Sequence, residues 1–360
     1  MQLLYITYID FYTDAKSGSS VRPKKMYNAF KQMGLDIKLL ECQQNRYRER
    51  NKRVKECIEW LKTNTPDFCY IESPSGPIFN SIDRKLIKEI DKKGIPISYF
   101  YRDAFWLFPY MMSDMGFIKR HVITVMNKID LKLLTRCCDT VYFPSQSVID
   151  IFDFVNFDRT DILPPGTEER DIDFSYQNLN NTVIYVGAVS EVNGTFDLIR
   201  AMYKLNKEGK ALNLILVCRE NEWKKLNIKE DDIPNWLIIK HASEDELKKI
   251  YSLADLAIFP RKADEYLDIA VPVKLFEYIS YGKPVVSTKR KEVKKFIDKE
   301  QFGILCDDGC DGICEAISLF YENEDLRKRL YLNTKNASEN NLWIRRAEKV
   351  IQDFKHLEGK

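Results

Sequence analysis

Short apolar runs alternate with amphipathic stretches along most of this chain, and this alternation limits the folds that the chain can adopt. In the first hundred residues, the runs LLYITYI, DIKLLEC, DFCYIES and IPISYFY have the length and near-continuous hydrophobicity of buried strands. The segments between them carry apolar residues at helical spacing, and two of these segments end at Gly34 and Gly94. Buried strands that alternate with helices predict a parallel sheet that is covered on both faces.

A second series of the same kind begins at TVIYVGAV, after the helix-breaking segment ILPPG and the polar segment TEERDIDFSYQNLNN. The 360 residues are enough for two domains. We therefore predict an α/β fold of two Rossmann-like, doubly wound parallel-sheet domains that face a cleft. The predicted parts are a first domain over 1–166, a linker over 167–181, a second domain over 182–340 and a final helix over 341–360, for which a return to the first domain stays open.

The charge balance and the apolar segments exclude several classes of protein. The chain has 56 Lys and Arg residues against 54 Asp and Glu residues, so no global basic field attracts nucleic acid. We find no run of about 20 mostly apolar residues of the kind that spans a membrane. The start, MQLLYITYID, has neither a basic segment nor a small-residue cleavage site, so we expect no secretory signal. A cytoplasmic protein is the expectation.

The nine cysteines point to a reducing compartment rather than to disulfides or metal. Cys306, Cys310 and Cys314 are spaced by four and resemble a row of ligands. Zinc sites have two residues between paired cysteines and a second pair of ligands further on, and this chain has no such partner. We expect that these thiols belong to a helix and pack in the protein core, and we expect no bound metal.

The segment from residue 254 to residue 288 holds the strongest candidate site. A buried strand ends at Pro260, and Pro272 stands at the start of a helix whose free amides can bind an anion. Lys274 lies in the first turn, where a cation is unfavourable for the helix dipole, so its presence indicates an anion nearby. Glu277 follows on the same face and could accept two ribose hydroxyls. A solvated i,i+3 ion pair between Lys274 and Glu277 is the alternative, and the residues alone do not exclude it.

The run P-V-K-L-F-E-Y-I-S-Y-G-K-P-V-V resembles the donor-binding helix of GT-B glycosyltransferases, specifically the family 4-like group 1 enzymes. In that family the glutamate at the place of Glu277 holds the nucleotide ribose, and the helix start meets the donor diphosphate. The segment YVGAVSEVNGTFDLIRA resembles the family's glycine-bearing loop, with Gly187. The segment SGSSVRPKKMYNAF resembles its first-strand loop, with Gly18, Ser19 and Arg22. The resemblance implies that these residues contact the donor. It also implies a GT-B arrangement, with 1–166 as the acceptor-side domain and 182–340 as the nucleotide-sugar-binding domain.

The chain also departs from the pattern of that family. Ile269 stands where the usual pattern has the first of two glutamates, and Ala188 and Asn193 replace a basic pair in the glycine loop. Lys274 and Arg261 are the nearest basic replacements. We therefore expect these two side chains to bind the donor diphosphate.

The candidate catalytic base on the acceptor side is Asp103. Many relatives have a histidine after the fourth strand, and this chain has Arg102 and Asp103 there. A carboxylate at the carboxyl end of a buried strand faces the cleft and can take the proton that an acceptor hydroxyl loses. Glu72, at the end of the third strand, is the reserve candidate by the same geometry. The alternative is that Asp103 caps the next segment or pairs with a cation.

These observations predict a metal-independent glycosyltransferase that moves a sugar, hexosyltransferase-like, from a nucleotide-diphosphate sugar to a hydroxyl. No cofactor other than this donor substrate is expected. The acceptor would be a glycan or a lipid-linked molecule in the synthesis of a cell-surface polysaccharide. A GT-B-fold epimerase or phosphorylase stays open, as does a non-catalytic sugar-nucleotide-binding protein or partner subunit of a sister transferase.

Three segments would suit peripheral contact with the inner face of an anionic membrane. They are the basic runs RYRERNKRVK (46–55) and TKRKEVKK (288–295) and the aromatic stretch AFWLFPYMM (104–112). Solvated helix faces explain the two basic runs equally well, and a place in the core explains the aromatic stretch.

Overall fold

The computed structural model describes residues 1–11, 18–172 and 179–358. Within these ranges the chain forms two parallel sheets of six strands each and divides into two compact units. The first unit contains Met1–Gly166 and Trp343–Lys360, and the second contains Thr167–Leu342. The predicted α/β class with two Rossmann-like sheets is confirmed. Part of the predicted linker, residues 173–178, lies outside the described residues.

The first unit is built around a sheet in the order β2-β1-β3-β4-β5-β6. Its strands are β1 (Gln2–Ile6), β2 (Asp36–Leu40), β3 (Phe68–Glu72), β4 (Ile97–Phe100), β5 (Thr140–Phe143) and β6 (Thr160–Ile162). Its helices are α1 (Gly18–Gln32), α2 (Tyr47–Leu61), α3 (Ser81–Lys92), α4 (Phe117–Cys137), α5 (Gln146–Asp150) and, from the end of the chain, α14 (Trp343–Glu358). The aromatic stretch before α4 forms two 3-10 turns, Phe105–Leu107 and Pro109–Met112.

The second unit repeats this plan with the strand order β12-β11-β10-β7-β8-β9. Its strands are β7 (Thr182–Val186), β8 (Asn213–Val217), β9 (Leu237–Lys240), β10 (Leu256–Phe259), β11 (Val285–Thr288) and β12 (Gly303–Cys306). Its helices are α6 (Thr195–Lys207), α7 (Glu220–Lys224), α8 (Glu244–Ser252), α9 (Glu265–Ile269), α10 (Val273–Ser280), α11 (Lys291–Glu300), α12 (Cys310–Glu322) and α13 (Glu324–Asn340). A 3-10 turn spans Glu230–Asp232.

The last helix, α14, packs in the core of the first unit. The ring of Phe354 stacks on Phe68 of β3 with 4.7 Å between the ring centroids. Asp353 accepts a hydrogen bond of 2.7 Å from the Tyr142 hydroxyl and pairs with Arg159 at 2.6 Å. The chain thus begins and ends in the same unit.

The cysteine row lies at the edge of the second core. Cys306 ends β12, and Cys310 and Cys314 stand on α12, where the Cys314 thiol contacts the carbonyl oxygen of Ala201 at 3.4 Å. In the ranges that the structure describes, no three His, Cys, Asp or Glu side chains come close enough together to hold a metal ion. A search of the same residues finds no helix with the length and hydropathy that crossing a bilayer requires.

Parallel pairing brings the carboxyl ends of all strands in a sheet to one edge. In the first unit this edge carries Glu72 and the segment after β4 with Asp103. In the second unit it carries Gly187 after β7 and Arg261 after β10. The candidate residues of each unit therefore share one edge of their own sheet.

Candidate functional site

The glycine loop of the second unit, residues 187–194, is held tightly against the segment that follows β10. Gly194 has a φ of +68°, and a Cβ atom placed on it would lie 1.7 Å from the carbonyl oxygen of Pro260. A Cβ atom on Gly187 would lie 2.7 Å from the Tyr185 hydroxyl oxygen. The Lys262 amide donates a hydrogen bond of 3.0 Å to the Val192 carbonyl. A side chain at Gly194 would therefore push the loop away from Pro260, and a side chain at Gly187 would displace the Tyr185 hydroxyl.

Arg261 is a partly buried cation at this edge, two residues after the end of β10. Its guanidinium carbon lies 5.1 Å from the centroid of the Phe259 ring. Burial lowers the pKa of Arg261, against the opposing influence of the nearby Tyr185, Asp264 and Tyr278. The Nε atom is buried and has no hydrogen-bond partner among the described residues. A desolvated cation with an unused donor is a suitable partner for an anionic ligand.

Helix α10 presents a carboxylate that two side chains hold. Pro272 is the N-cap residue, and its ring cannot accept a hydrogen bond from the first turn. The Nζ atom of Lys274 lies 2.9 Å from Oε1 and 2.8 Å from Oε2 of Glu277. The Tyr251 hydroxyl donates a hydrogen bond of 2.8 Å to the same Oε1. The i,i+3 ion pair, the alternative interpretation of these residues, is therefore formed in the structure.

The Lys274–Glu277 pair remains accessible to a ligand. The side chains of Lys274 and Glu277 are 36% and 22% exposed. Tyr251, by contrast, is buried, and its ring stacks on Tyr281 with 4.1 Å between the centroids. Sequence reasoning missed Tyr251 because it lies 26 residues from Glu277 in the chain. The buried Tyr251 hydroxyl holds Oε1 of Glu277 in place, and the Lys274 and Glu277 side chains stay partly exposed to solvent.

The positions that depart from the family pattern hold neutral or apolar side chains. Ile269, the last residue of α9, is buried. The amide of Asn193 donates a hydrogen bond of 2.8 Å to the Ser190 hydroxyl within the glycine loop. Lys262 is a cation close to that loop, but it pairs with Glu191 and, at 3.2 Å, with Asp197. Its charge is already balanced, so Arg261 is the better candidate for an anion.

Glu72 lies in the interior of the first unit rather than on its surface. Its side chain is fully buried, accepts a hydrogen bond from Arg22 Nε at 3.1 Å and another from the Tyr70 hydroxyl at 2.8 Å. Arg102 Nη2 lies 3.8 Å from Oε2 of Glu72. A buried carboxylate between two arginines is a structural anion, so the structure argues against Glu72 as a reserve base that touches an acceptor.

Arg22 is likewise buried in this interior. Besides Glu72, it donates hydrogen bonds of 3.0 Å and 3.2 Å to the carbonyl oxygens of Leu163 and Pro164. Its guanidinium carbon lies 3.4 Å from the centroid of the Phe100 ring. The sequence could not place these contacts because the partners of Arg22 are 50 to 142 residues away. The predicted contact of Arg22 with the donor stays a prediction.

Gly18 and Ser19 are the first two residues of α1. The surroundings of their side chains lie outside what the structure describes, as do residues 12–17 before them. Their predicted contact with the donor stays a prediction.

Asp103 stands at the carboxyl edge of the first sheet and is half-buried. Strand β4 ends at Phe100, so the alternation of side chains along a strand does not extend to Arg102, whose side chain lies near Glu72. The N-cap residue of the following 3-10 turn is Ala104, whose methyl side chain makes no capping hydrogen bond. Asp103 keeps the position that the sequence predicts, next to the edge where strands β3 and β4 end.

Comparison with known proteins agrees with these features. Residues 169–337 match the family model described as glycosyl transferases group 1. No curated protein matches the chain. The resemblance of this chain to group 1 GT-B enzymes is confirmed.

Solved structures of low sequence identity share the fold over the whole chain. Sucrose-phosphate synthase from Thermosynechococcus elongatus is 12% identical, with a TM-score of 0.69 and coverage of 100% of both chains. The Anabaena protein HepE in complex with UDP is 14% identical, with a TM-score of 0.67 and coverage of 99% of this chain and 100% of that one. WaaG, a glycosyltransferase involved in lipopolysaccharide biosynthesis, is 16% identical, with a TM-score of 0.62 and coverage of 97% and 98%.

Proposed function

We propose that this chain, whose residues 169–337 match the family model of the glycosyl transferases group 1, moves a sugar from a nucleotide-diphosphate sugar to an acceptor hydroxyl. The observation that carries the proposal is that a cation and a carboxylate stand at the same edge of the second sheet. There, Arg261 has an unused buried donor, and Glu277 presents a carboxylate on the first turns of α10. The HepE structures with UDP and with UDP-glucose support a nucleotide sugar as the ligand.

In this proposal the donor diphosphate binds between Arg261 and the start of α10. A diphosphate that approaches Lys274 competes with Glu277 for that ammonium group, because both are anions. Glu277 then turns its free oxygen to the ribose hydroxyls, while Tyr251 holds the other oxygen. Positive groups in a desolvated site stabilise the negative charge that develops on the departing nucleoside diphosphate. Arg261, Lys274 and the helix amides supply this charge, so we expect turnover without a metal.

On the acceptor side we propose Asp103 as the base that takes the hydroxyl proton. Its place beyond β4 supports this role, and the interior position of Glu72 leaves no second candidate among the sequence-predicted bases. The acceptor in this proposal is a glycan or a lipid-linked molecule of a cell-surface polysaccharide, and the enzyme works in the cytoplasm at the inner face of the membrane.

Isothermal titration calorimetry with a panel of nucleosides, nucleoside diphosphates and nucleotide sugars tests the donor site. We expect Glu277→Gln to lose about 1.5–3 kcal/mol of donor affinity, the range for a hydrogen bond to a charged group. Arg261→Gln and Lys274→Ala should weaken nucleoside diphosphates more than nucleosides. Lys262→Ala is the matched control, because Lys262 lies at the same edge with its charge already paired. Wild-type affinity in the Glu277, Arg261 and Lys274 variants would refute the assignment.

A non-catalytic sugar-nucleotide-binding protein is the second candidate. It is favoured by the buried Ile269 and by Ala188 and Asn193, which replace a glutamate and two basic residues of the family pattern. This candidate predicts donor binding in the calorimeter and no release of nucleoside diphosphate with any acceptor. An epimerase would differ again, since it converts the donor sugar without an acceptor.

A further inference from the structure

The two basic runs of the sequence do not form positive surfaces in the structure. In the first run, Arg46 pairs with Asp10, Arg50 with Asp83, Arg53 with Glu49 and Lys52 with Glu56. In the second run, Lys289 pairs with Asp307, Arg290 with Asp268 and Asp308, Lys294 with Asp298 and Lys295 with Glu292. Because acidic partners balance most of these charges, neither run is the best candidate for contact with an anionic membrane.

Helix α4 differs from an ordinary surface helix because its outer face is apolar. Ile118 is 79% exposed, Val122 45%, Val125 40% and Ile129 44%. Their spacing of four, three and four residues places them in one row along the helix. Phe117, beside the start of this row, is 75% exposed. We call these five residues the α4 outer face.

The opposite side of α4 is also apolar, and it packs in the core. Ile123, Leu131 and Leu134 are buried there. A surface helix of a globular protein normally has one apolar face and one polar face. The core contact therefore explains only half of the hydrophobicity of α4, and a contiguous exposed apolar row indicates an interaction surface.

The charged side chains that α4 itself exposes are all positive. The helix carries the cations Lys119, Arg120, Lys128, Lys132 and Arg136, and none of them takes part in an ion pair within residues 1–11, 18–172 and 179–358. The single acidic residue of α4, Asp130, is buried and pairs with Arg84 at 2.8 Å. On a helical projection, Lys128 and Lys132 flank the apolar row and Arg136 continues it.

We infer that the α4 outer face docks on a bilayer surface that contains anionic phospholipids. Apolar side chains with flanking, unpaired cations fit such a surface, since the former enter the acyl boundary and the latter meet the lipid phosphates. A second copy of the chain fits poorly, because a two-fold contact through this face would bring like charges together. The inference deepens the proposed membrane contact and rests on it, and it assigns that contact to residues other than those in the basic runs.

The position of α4 in the fold connects this surface to the candidate acceptor side. Strand β4 ends at the carboxyl edge of the sheet, and α4 must run back from that edge to the start of the parallel strand β5. The start of α4 therefore lies at the edge that carries Asp103. Tyr110 and Met111, in the segment between them, are 42% and 38% exposed. A membrane on the α4 outer face would lie near the place where an acceptor hydroxyl is expected.

Vesicle co-sedimentation of the full chain tests the inference. We expect binding to mixed phosphatidylglycerol–phosphatidylcholine vesicles, loss of binding in high salt, and little binding to phosphatidylcholine alone. Each basic residue near an anionic surface contributes about fivefold to the binding constant, so Lys128→Gln, Lys132→Gln and Arg136→Gln together should weaken binding roughly 100-fold. The triple variant Ile118→Ser, Val122→Ser and Ile129→Ser should weaken it at least about tenfold.

Two matched variants control for lost charge and for lost surface hydrophobicity. The first, Arg48→Gln with Lys52→Gln and Lys55→Gln, removes three cations of the first basic run. The second, Leu319→Ser with Leu332→Ser, removes exposed leucines of the second unit. Both should bind vesicles like wild type. The inference would be overturned if the wild-type protein did not bind anionic vesicles. It would also be overturned if the control variants lost as much vesicle binding as the α4 variants.

A further pair of measurements separates the alternatives. A wild-type dimer that the serine variant converts to a monomer, without any vesicle binding, would show that a second copy covers this face and would overturn the inference. Calorimetric donor binding should be the same in wild type and in both α4 variants. If donor binding fails in all of them while vesicle binding follows the predicted pattern, the donor proposal is wrong and the docking surface stands.

Discussion

Gly194 shows how strongly one residue can fix the shape of the glycine loop. Its φ of +68° already disfavours a side chain, and the carbonyl oxygen of Pro260 occupies the place of a Cβ atom. We predict that Gly194→Ala lowers the free energy of unfolding by more than about 3 kcal/mol. Left-handed backbone alone costs roughly 1–2 kcal/mol, and the displaced Pro260 segment adds to it. Urea unfolding followed by circular dichroism measures this change.

Gly209 provides the matched control for this prediction. Its φ is +86°, and a Cβ atom there would meet no other atom within 4 Å. Gly209→Ala should therefore cost only the backbone contribution, roughly 1–2 kcal/mol. Equal losses in the two variants would mean that the contact with Pro260 has no energetic weight.

Asp103 carries the chemical prediction at this scale. If it accepts the hydroxyl proton, Asp103→Asn should lower the rate by roughly 10²–10⁴ while donor affinity and thermal stability stay unchanged. The product should have inverted anomeric configuration, because one direct displacement inverts the sugar carbon. NMR of the product anomeric proton and initial-rate measurements check both points. A retained configuration, or full activity of the variant, would remove Asp103 from this role.

Individual site residues were predictable where local pattern sets them and unpredictable where distant partners do. The place of Lys274 and Glu277 on the first turns of a helix follows from Pro272 and the apolar spacing after it. The contacts of Arg22 with Glu72 depend on packing between strands and helices that lie far apart in the chain. No local pattern in the sequence predicts such a pair. A buried arginine that is paired with a carboxylate therefore cannot be told from a solvent-exposed arginine by the sequence alone.

Among the elements, long buried strands and long helices were predictable and short ones were not. The apolar runs of β1, β3, β4 and β7 correspond closely to the observed strands. Strand β6 has three residues of intermediate burial, and α9 has five residues, so neither produces a periodic pattern of useful length. These short elements form because the neighbouring strands and loops already define their edges.

Helix α14 carries a pH-dependent prediction. Asp353 accepts a hydrogen bond from Tyr142 and pairs with Lys349 and Arg159. Burial acts to raise the pKa of Asp353, but these partners outweigh it and lower the pKa below the ordinary value of 3.8. A carboxyl with a lowered pKa in the folded state stabilises the protein above its unfolded pKa. That contribution is lost as the pH falls through the lower, folded value.

We therefore predict that Asp353→Asn lowers the free energy of unfolding by about 1.5–3 kcal/mol at neutral pH. The difference from wild type should shrink as the pH falls below the ordinary carboxyl pKa of 3.8, because the unfolded wild-type chain then binds a proton that the folded carboxyl does not yet bind. It should vanish once the pH is below the lowered, folded pKa. Chemical denaturation across this pH range measures it. Asp153→Asn, at an exposed aspartate, is the control and should change little at any pH. A constant difference across the range would contradict the linkage.

For the whole molecule, the small net charge of +2 does not show how positive and negative side chains are distributed over the surface. Lys, Arg, Asp and Glu nearly balance over the chain. The structure shows that this balance is local in the two basic runs and fails on α4, whose only acidic residue is buried. Clustering of cations in the sequence therefore does not identify the positive surface of α4. Acidic partners from other elements, which only the fold brings together, decide which cations remain unpaired.

The two units also differ in what the sequence reveals about their ligands. The family match covers residues 169–337, most of the second unit. A diphosphate is recognised largely by backbone amides and a few cations at strand and helix ends, and such sites leave a regular pattern. An acceptor is recognised by the shape of loops. The turns between β4 and α4, which we propose on the acceptor side, are such loops, and loop shape depends on packing.

Release of nucleoside diphosphate from a nucleotide sugar, measured in the presence of EDTA, tests the central claim most directly. We predict that wild-type protein releases nucleoside diphosphate from at least one nucleotide sugar of the panel, and that EDTA leaves the rate unchanged. Arg261→Gln and Glu277→Gln should slow this release by at least about tenfold at limiting donor, since each loses an interaction of about 1.5–3 kcal/mol. Release that EDTA abolishes and manganese restores, or equal rates in wild type and both variants, would contradict the account.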